Sequence, residues 1–275
     1  MPGPYEMLDA DGDAYAASMP VLYRDGTMSA KTVAFFDFTD PYGKPPTIPP
    51  LNGALCKNFV DGGSPAIIRD APADPDNGPG IRFYGNYLAR YIEFPAKFFP
   101  FGLARPLYTF WTRQSGIQGA DYNNRIVDIT VGGVSQFFLA PHGSSASPTY
   151  PVRMEVCFGG VDIDLGFTNL HARLFDQQVH QHAYELVTSP DGTQQKLVVY
   201  LDGAPFYETG YVNTKAFAAP GANALAQMGA KGFVSTVYGR GFAARLDDIG
   251  SAPGAALALV AADYAANAAN MARLP

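Results

Sequence analysis

Few residues of this chain have the type and spacing that chemistry needs. Glycoside hydrolysis asks for two carboxylates entering one cleft, as nucleophile and acid. The nearest set is Glu155 with Asp162 and Asp164. Asp162-Ile163-Asp164 puts two carboxylates on one strand face. No glutamate continues the pattern, and Glu155 reads as too distant in sequence to join it, so a polar outer face is expected. His180 and His182 also share a strand face and could ligate zinc if a third ligand arrived. The remaining histidines, His142 and His171, stand at no diagnostic spacing. Cys56 and Cys157, the two cysteines, have neither metal-type spacing nor a disulfide-rich context and read as free thiols. Neither has a convincing histidine partner, and no serine sits in a nucleophile elbow. Asp9-Ala10-Asp11-Gly12-Asp13 opens like a calcium loop, but such a loop needs Gly where Ala14 stands and a bidentate acid where Pro20 stands. Tyr238-Gly239-Arg240-Gly241-Phe242 reads as a flexible loop feeding a strand, not as a phosphate cradle opening a helix. Asp202 is expected to shape a hairpin turn. Asp247 and Asp248 are expected to satisfy loop donors or, less often, to help hold an ion. No catalytic residue, metal or cofactor is expected from this inventory.

What remains is surface. The most sugar-friendly segment is Asp121-Tyr122-Asn123-Asn124, followed by Arg125. A tyrosine ring can stack on a pyranose, and Asp and Asn offer planar acceptors and donors for vicinal hydroxyls. These residue types also make turns, and Arg125 could equally pair with Asp121.

The elements that must position these residues are mostly strands. The 275-residue chain is 47% apolar and only 16% charged, with 19 Phe, 16 Tyr, 29 Gly and 23 Pro. That mixture favours many strands joined by punctuated loops. The net charge of −6 lacks the basic footprint that nucleic acid requires, and no apolar run approaches a membrane span. The first residues have neither the basic region nor the apolar core of a signal peptide. Residues 1–31 read as a polar N-terminal arm, and 32–275 as one domain. Thr32–Phe38 gives the first strand signal. The stretch 41–80 is dense in proline and allows only short strands such as Ala66–Arg69. From residue 81, strand signals recur at sandwich spacing: Ile81–Tyr84, Tyr91–Phe94, Leu107–Arg113, Arg125–Val131, Gln136–Ala140, Val152–Phe158, Val161–Leu165, Ala183–Thr188, Leu197–Leu201, Ala204–Glu208 and Ala243–Ile249. Leu197, Val199 and Leu201 alternate onto one face. Pro190-Asp191-Gly192 and Asp202-Gly203 mark hairpins. Only residues 255–274 read as helix, with Leu257, Val260, Tyr264, Ala268 and Met271 as the apolar stripe and Asp263 and Asn267 outside it.

Four segments, in order, resemble the concanavalin A-like, laminin-G-like family. They are Gly80–Gly85 followed by Tyr91-Ile92-Glu93-Phe94-Pro95; Leu107-Tyr108-Thr109-Phe110-Trp111-Thr112; the hairpin from His182 to Pro205; and Arg245-Leu246-Asp247-Asp248-Ile249 with Leu257 after it. The resemblance spans about residues 32–265. It implies an all-β antiparallel sandwich, or jelly roll, and gives His182 a structural role. The strand before His182 lacks the family's usual tryptophan, the C-terminal helix signal runs longer than the family's, and the N-terminal arm and the proline-rich 41–80 loop look like additions.

Proteins with this sandwich usually work outside cells, yet no export signal is read here. With the low charge and the N-terminal arm, this gives the expectation of a non-enzymatic virion component. It would be a bacteriophage decoration, tail or fibre protein, structural or adhesive, docking to neighbouring subunits and to itself as a homo-oligomer through the arm and 41–80. The alternative is an extracellular, lectin-like module that binds glycans through Asp121, Tyr122, Asn123 and Asn124. Neither reading involves nucleic acid or a membrane.

Overall fold

The computed structural model describes residues 25–44, 52–69, 79–83, 91–95, 98, 105–117, 125–132, 134–144, 151–165, 168–213, 224–231, 234–246 and 254–275. In chain order the strands are β1 (Thr32–Asp37), β2 (Leu55–Cys56), β3 (Ala66–Arg69), β4 (Ile81–Phe83), β5 (Tyr91–Phe94), β6 (Pro106–Ile117), β7 (Arg125–Val131) and β8 (Val134–His142). After them come β9 (Arg153–Phe158), β10 (Val161–Asp164), the short helix α1 (Leu170–Leu174), β11 (Val179–Thr188), β12 (Gln194–Leu201), β13 (Ala204–Glu208), β14 (Val212–Asn213), β15 (Ala224–Lys231), β16 (Val234–Arg245) and α2 (Ala255–Met271).

These strands form two antiparallel sheets packed as a sandwich, the fold class read from the sequence. The first sheet runs β1-β16-β6-β11-β12-β13, with β4 also on β16 and β14 also on β12. The second runs β10-β9-β8-β7-β15-β5-β3-β2. Alternation along each strand drives the packing. Tyr108 and Phe110 of β6, Tyr184 and Leu186 of β11, and Leu197, Val199 and Leu201 of β12 point inward. They meet Phe137 and Leu139 of β8 and Met154, Val156 and Phe158 of β9 in one core. Phe36, Phe38, Phe94, Phe98 and Phe110 form an aromatic chain inside it, with Phe94 and Phe98 at 4.3 Å.

The first sheet is buried on its outer face too, because α2 lies across it. Phe35, Leu107, Ala183, Phe242 and Ala244 pack with Ala256 and Val260, and Trp111 and Val237 pack with Met271 and Leu274. The buried helix face is Ala256, Val260, Asp263, Asn267 and Met271, rotated from the apolar stripe read in the sequence. Asp263 and Asn267, expected outside, are buried because the sheet supplies polar partners. Trp111 Nε1 and Gln181 Nε2 donate to Asp263 Oδ2 at 2.6 and 2.7 Å, and Arg240 Nε and Asn267 Nδ2 donate to Oδ1 at 2.9 and 3.1 Å.

Tyr238–Phe242 is strand, not a flexible loop. A register shift between Tyr238 and Arg240 puts Tyr238 on the core face and Arg240 on the outer face, as a β-bulge does. Glycine suits Gly239 because a Cβ there would meet Leu274 and Met271. Arg240 then reaches Asp25, Asp37 and Thr27 as well as Asp263 and lies 4.3 Å over the Phe35 ring. The chain just before β1 is thereby fastened to the sheet. Other differences are of extent: β6, β8, β11 and β16 run longer than their apolar cores, while α1 and β15 carried no signal strong enough to be read. Cys56 and Cys157 are free and buried.

Candidate functional site

The outer face of the second sheet carries a polar constellation that no single stretch of sequence announces. Antiparallel registers line up Glu93 of β5, Gln227 of β15, Asp128 of β7, Phe138 of β8, Cys157 of β9 and Asp162 of β10 in one row across the sheet. The next row sets Ala140, Glu155 and Asp164 side by side. Glu155 is therefore not remote from the Asp162/Asp164 pair. The two-residue turn at Gly159-Gly160, both at positive φ, folds β9 and β10 into a hairpin that puts Glu155 directly opposite Asp164. Sequence distance was the wrong measure, because a tight hairpin makes near neighbours of residues well apart in the chain.

At this end His142 Nε2 lies 3.2 Å from Glu155 Oε2, and Arg153 Nη1 donates to Asp164 Oδ2 at 2.9 Å. Burial, then the nearby charge of Asp162, raises the Glu155 pKa, with Arg153 opposing. Burial, then Arg153, lowers that of His142, which favours a neutral imidazole. Glu155 is thus a partly desolvated carboxyl group beside two exposed aspartates.

Arg125 organises the centre. Its Nη1 donates to Asp128 Oδ1 at 2.5 Å and to Ser135 Oγ at 2.7 Å, while the guanidinium lies 4.1 Å from the Phe138 ring centroid. This charge-assisted arrangement holds a planar donor against a planar ring. Asp128 is 2% exposed and Phe138 6% exposed although both point away from the core. The middle of the face is thus shielded, while Asp162 and Asp164 at its β10 edge are exposed. Burial, then Asp162, pushes the Cys157 thiol up to about 12, and burial alone does the same to Cys56. Both stay protonated and are poor nucleophiles.

The ligand-contact residues read from the sequence, Asp121, Tyr122, Asn123 and Asn124, lie outside the described residues, as do Asp247, Asp248 and Asp9–Asp13. In sequence, Asn124 directly precedes Arg125, the arginine that anchors the polar face. Arg125 pairs with Asp128 there. Sequence reasoning did not find Asp128, Ser135, Gln136 or Gln227, because each reads as one polar residue in an alternating strand.

The histidines have other tasks. His182 is sealed inside the core, hydrogen-bonded to Thr112 Oγ1 at 2.9 Å and Tyr184 Oη at 3.0 Å. Burial, helped by His180, drives its pKa down to about 3. His180 sits between Asp202 Oδ2 at 2.8 Å and Asp176 Oδ1 at 3.0 Å. Burial alone would lower its pKa, but Asp202 and Asp176 together raise it. Asp202, at φ 51° in the β12–β13 turn, also accepts from the Gln181 backbone N–H, the turn-shaping role expected of it. Among the described residues no three His, Cys, Asp or Glu side chains are grouped to hold a metal ion, and no helix is long and apolar enough to cross a membrane.

No family model and no curated protein matches the chain. Similar solved structures include domain 4 of an extracellular arabinanase from Geobacillus stearothermophilus in complex with arabinotriose, at 12% identity and TM-score 0.47, covering 85% of this chain and 100% of that one. A Trypanosoma rangeli sialidase in complex with a difluorinated keto-deoxy-nononic acid is similar at 12% identity and TM-score 0.48, covering 90% of this chain but 35% of that one. A carbohydrate esterase from the Shiga toxin-encoding bacteriophage phi24B is similar at 11% identity and TM-score 0.42, covering 77% and 97%. At such values the side chains of this protein must carry its functional assignment.

Proposed function

We propose that this protein is a non-enzymatic carbohydrate-binding module that works outside the cell, and that the exposed β9–β10 edge of the second sheet's outer face, together with residues 121–124, takes the glycan. The observation that carries this reading is the grouping of Glu155, Asp162 and Asp164 at the β9–β10 end of the outer face, backed by the buried Arg125–Asp128–Phe138 cluster. Carboxylates accept from vicinal hydroxyls and guanidinium donates to them. Tyr122 would add the ring on which a pyranose stacks. Asp164 is already paired with Arg153 and Glu155 faces His142, a disposition that suits holding hydroxyls better than attacking a glycosidic bond. A glycan array probed with the full chain tests the reading. Binding to a defined set of sugars is expected, weakened about tenfold or more by Tyr122→Ala and by Arg125→Gln. No binding, or binding indifferent to both changes, refutes it. Polysaccharide cleavage lost in Glu155→Gln would replace it with a hydrolase.

The second reading, a virion component that docks to neighbours through residues 1–31 and 41–80, is favoured by Tyr42 and Leu55. These large apolar side chains are 54% and 58% exposed within the stretch assigned to docking. Light scattering of the full chain against one starting at Asp25 tests it. Under this reading a defined oligomer is lost with the first residues, whereas a monomer in both forms removes it.

A further inference from the structure

We propose that the cavity between the second half of α2 and the outer face of β6 and β11 binds a small carboxylate-bearing molecule of the size of a sugar acid. The site is on the opposite sheet from the glycan face and does not rest on that reading. The cavity has a volume of about 400 Å³ and is bounded by Trp111, Arg113, Gln178, Val179, Tyr264 and Leu274, among others, which is within the size range of small-molecule sites.

Its walls are mostly settled. The Trp111 indole N–H is already committed to Asp263 at 2.6 Å, and its ring stacks on Tyr264 with centroids 5.5 Å apart and planes 3° from parallel. Two aromatic rings, Val179, Ala268 and Leu274 thus form the apolar part of a half-open cavity whose exposed lining is otherwise polar. Arg113 is the exception. Its Nε donates to the Gln177 carbonyl at 2.8 Å, which is the one hydrogen bond its side chain makes among the described residues. Gln177 is itself held in the left-handed region at φ 66°. The cross-strand neighbours of Arg113 are Val179 on β11 and Val237 on β16, so no carboxylate faces it from either strand.

A guanidinium at the cavity whose Nε is already held keeps its terminal nitrogens for the two oxygens of one carboxylate. A single fork suits a monoanion, whereas a phosphate dianion would call for further cations. The Tyr264 hydroxyl and the Gln178 side-chain amide make no hydrogen bond among the described residues, which leaves them for the hydroxyls of the same ligand.

Trp111 is the chain's one tryptophan and lines the cavity, so its fluorescence gives a signal at the site. The full chain is titrated with D-glucuronate, and with D-glucose as the neutral counterpart. A saturable change is expected with glucuronate, weaker at high salt. Binding should be about tenfold or more weaker in Arg113→Gln, and also in Ala268→Phe, which fills the cavity and leaves the arginine in place. No saturable change, an equal response to glucose, or full binding by Arg113→Gln overturns the proposal. Arg113 lies at a solvent-reachable edge, so its variant decides the matter even if Ala268→Phe fails to fold.

Discussion

Asp263 and Arg240 are both sealed from solvent, and their side chains approach to 2.8 Å. Burial works against the charge on Arg240, but Asp25, Asp263 and Asp37 together raise its pKa; on the other side, burial would raise the Asp25 pKa and the arginine holds it at about 2. Removing one partner of such a pair leaves a charge in a dry place, which costs about 3–5 kcal/mol. Asp263→Ala is therefore expected to lower the urea midpoint by a corresponding amount, with Asp25 and Asp37 keeping the loss toward the lower end. A midpoint within error of wild type would show that the pair contributes nothing. The two histidines of β11 act in opposite pH windows. His182 has a folded pKa of about 3 against an ordinary 6.5, so the unfolded chain binds the extra proton and stability falls as pH drops through that interval. His180 has a raised pKa, so its contribution is complete below about pH 6.5 and is lost as pH rises through the folded value. His182→Gln should flatten the acid side of the curve, measured as urea midpoints at about pH 7 and about pH 4.5. An unchanged slope would mean that another group dominates there.

At the scale of elements, local pattern told the truth where one face meets apolar core and failed where a strand or helix meets polar partners. Leu197, Val199 and Leu201 were readable because all three enter the core. The face of α2 was misread because Asp263 belongs to a network contributed by β6, β11 and β16, and no window on the helix contains those partners. Gly239 and Gly241 suggested a loop, whereas one lies at a bulge and the other in a continuous strand. The polar row from Gln227 to Asp162 depends on registers across five strands, information that periodicity along one strand does not hold. The β12–β13 turn gives a test of how α2 is seated. Gly203 has φ 79°, and a Cβ there would come within 2.9–3.1 Å of Cβ, Cγ and Cδ1 of Tyr264. Gly203→Ala combines backbone strain with a push on the helix and is expected to cost about 1–3 kcal/mol. It should also change the near-ultraviolet circular dichroism of Trp111, because Tyr264 stacks on that ring. Loss of stability with an unaltered Trp111 signal would confine the damage to the turn.

For the molecule as a whole, the sandwich was legible because many strands, each weakly signalled, agreed with one architecture. The second layer, α2 over the first sheet, was legible only as a helix and not as a cover. That cover decides how the molecule behaves as a unit. Without it the outer-face clusters around Leu107 and Phe242 and around Trp111 and Val237 would lose Ala256, Val260 and Met271, and Arg240 would lose Asp263 while still pressed on Phe35. An open apolar sheet face of this kind recruits other copies or collapses. A chain ending at Pro253 is thus expected to aggregate, or to bind a hydrophobic dye strongly, where the full chain does neither. Light scattering and dye fluorescence on the two proteins would measure this. A truncated chain that stays monomeric and melts within a few degrees of the full one would mean that the two sheets are self-sufficient. It would also make α2 a detachable lid over the Arg113 cavity, so the same comparison separates a helix that completes the fold from one that only encloses a site.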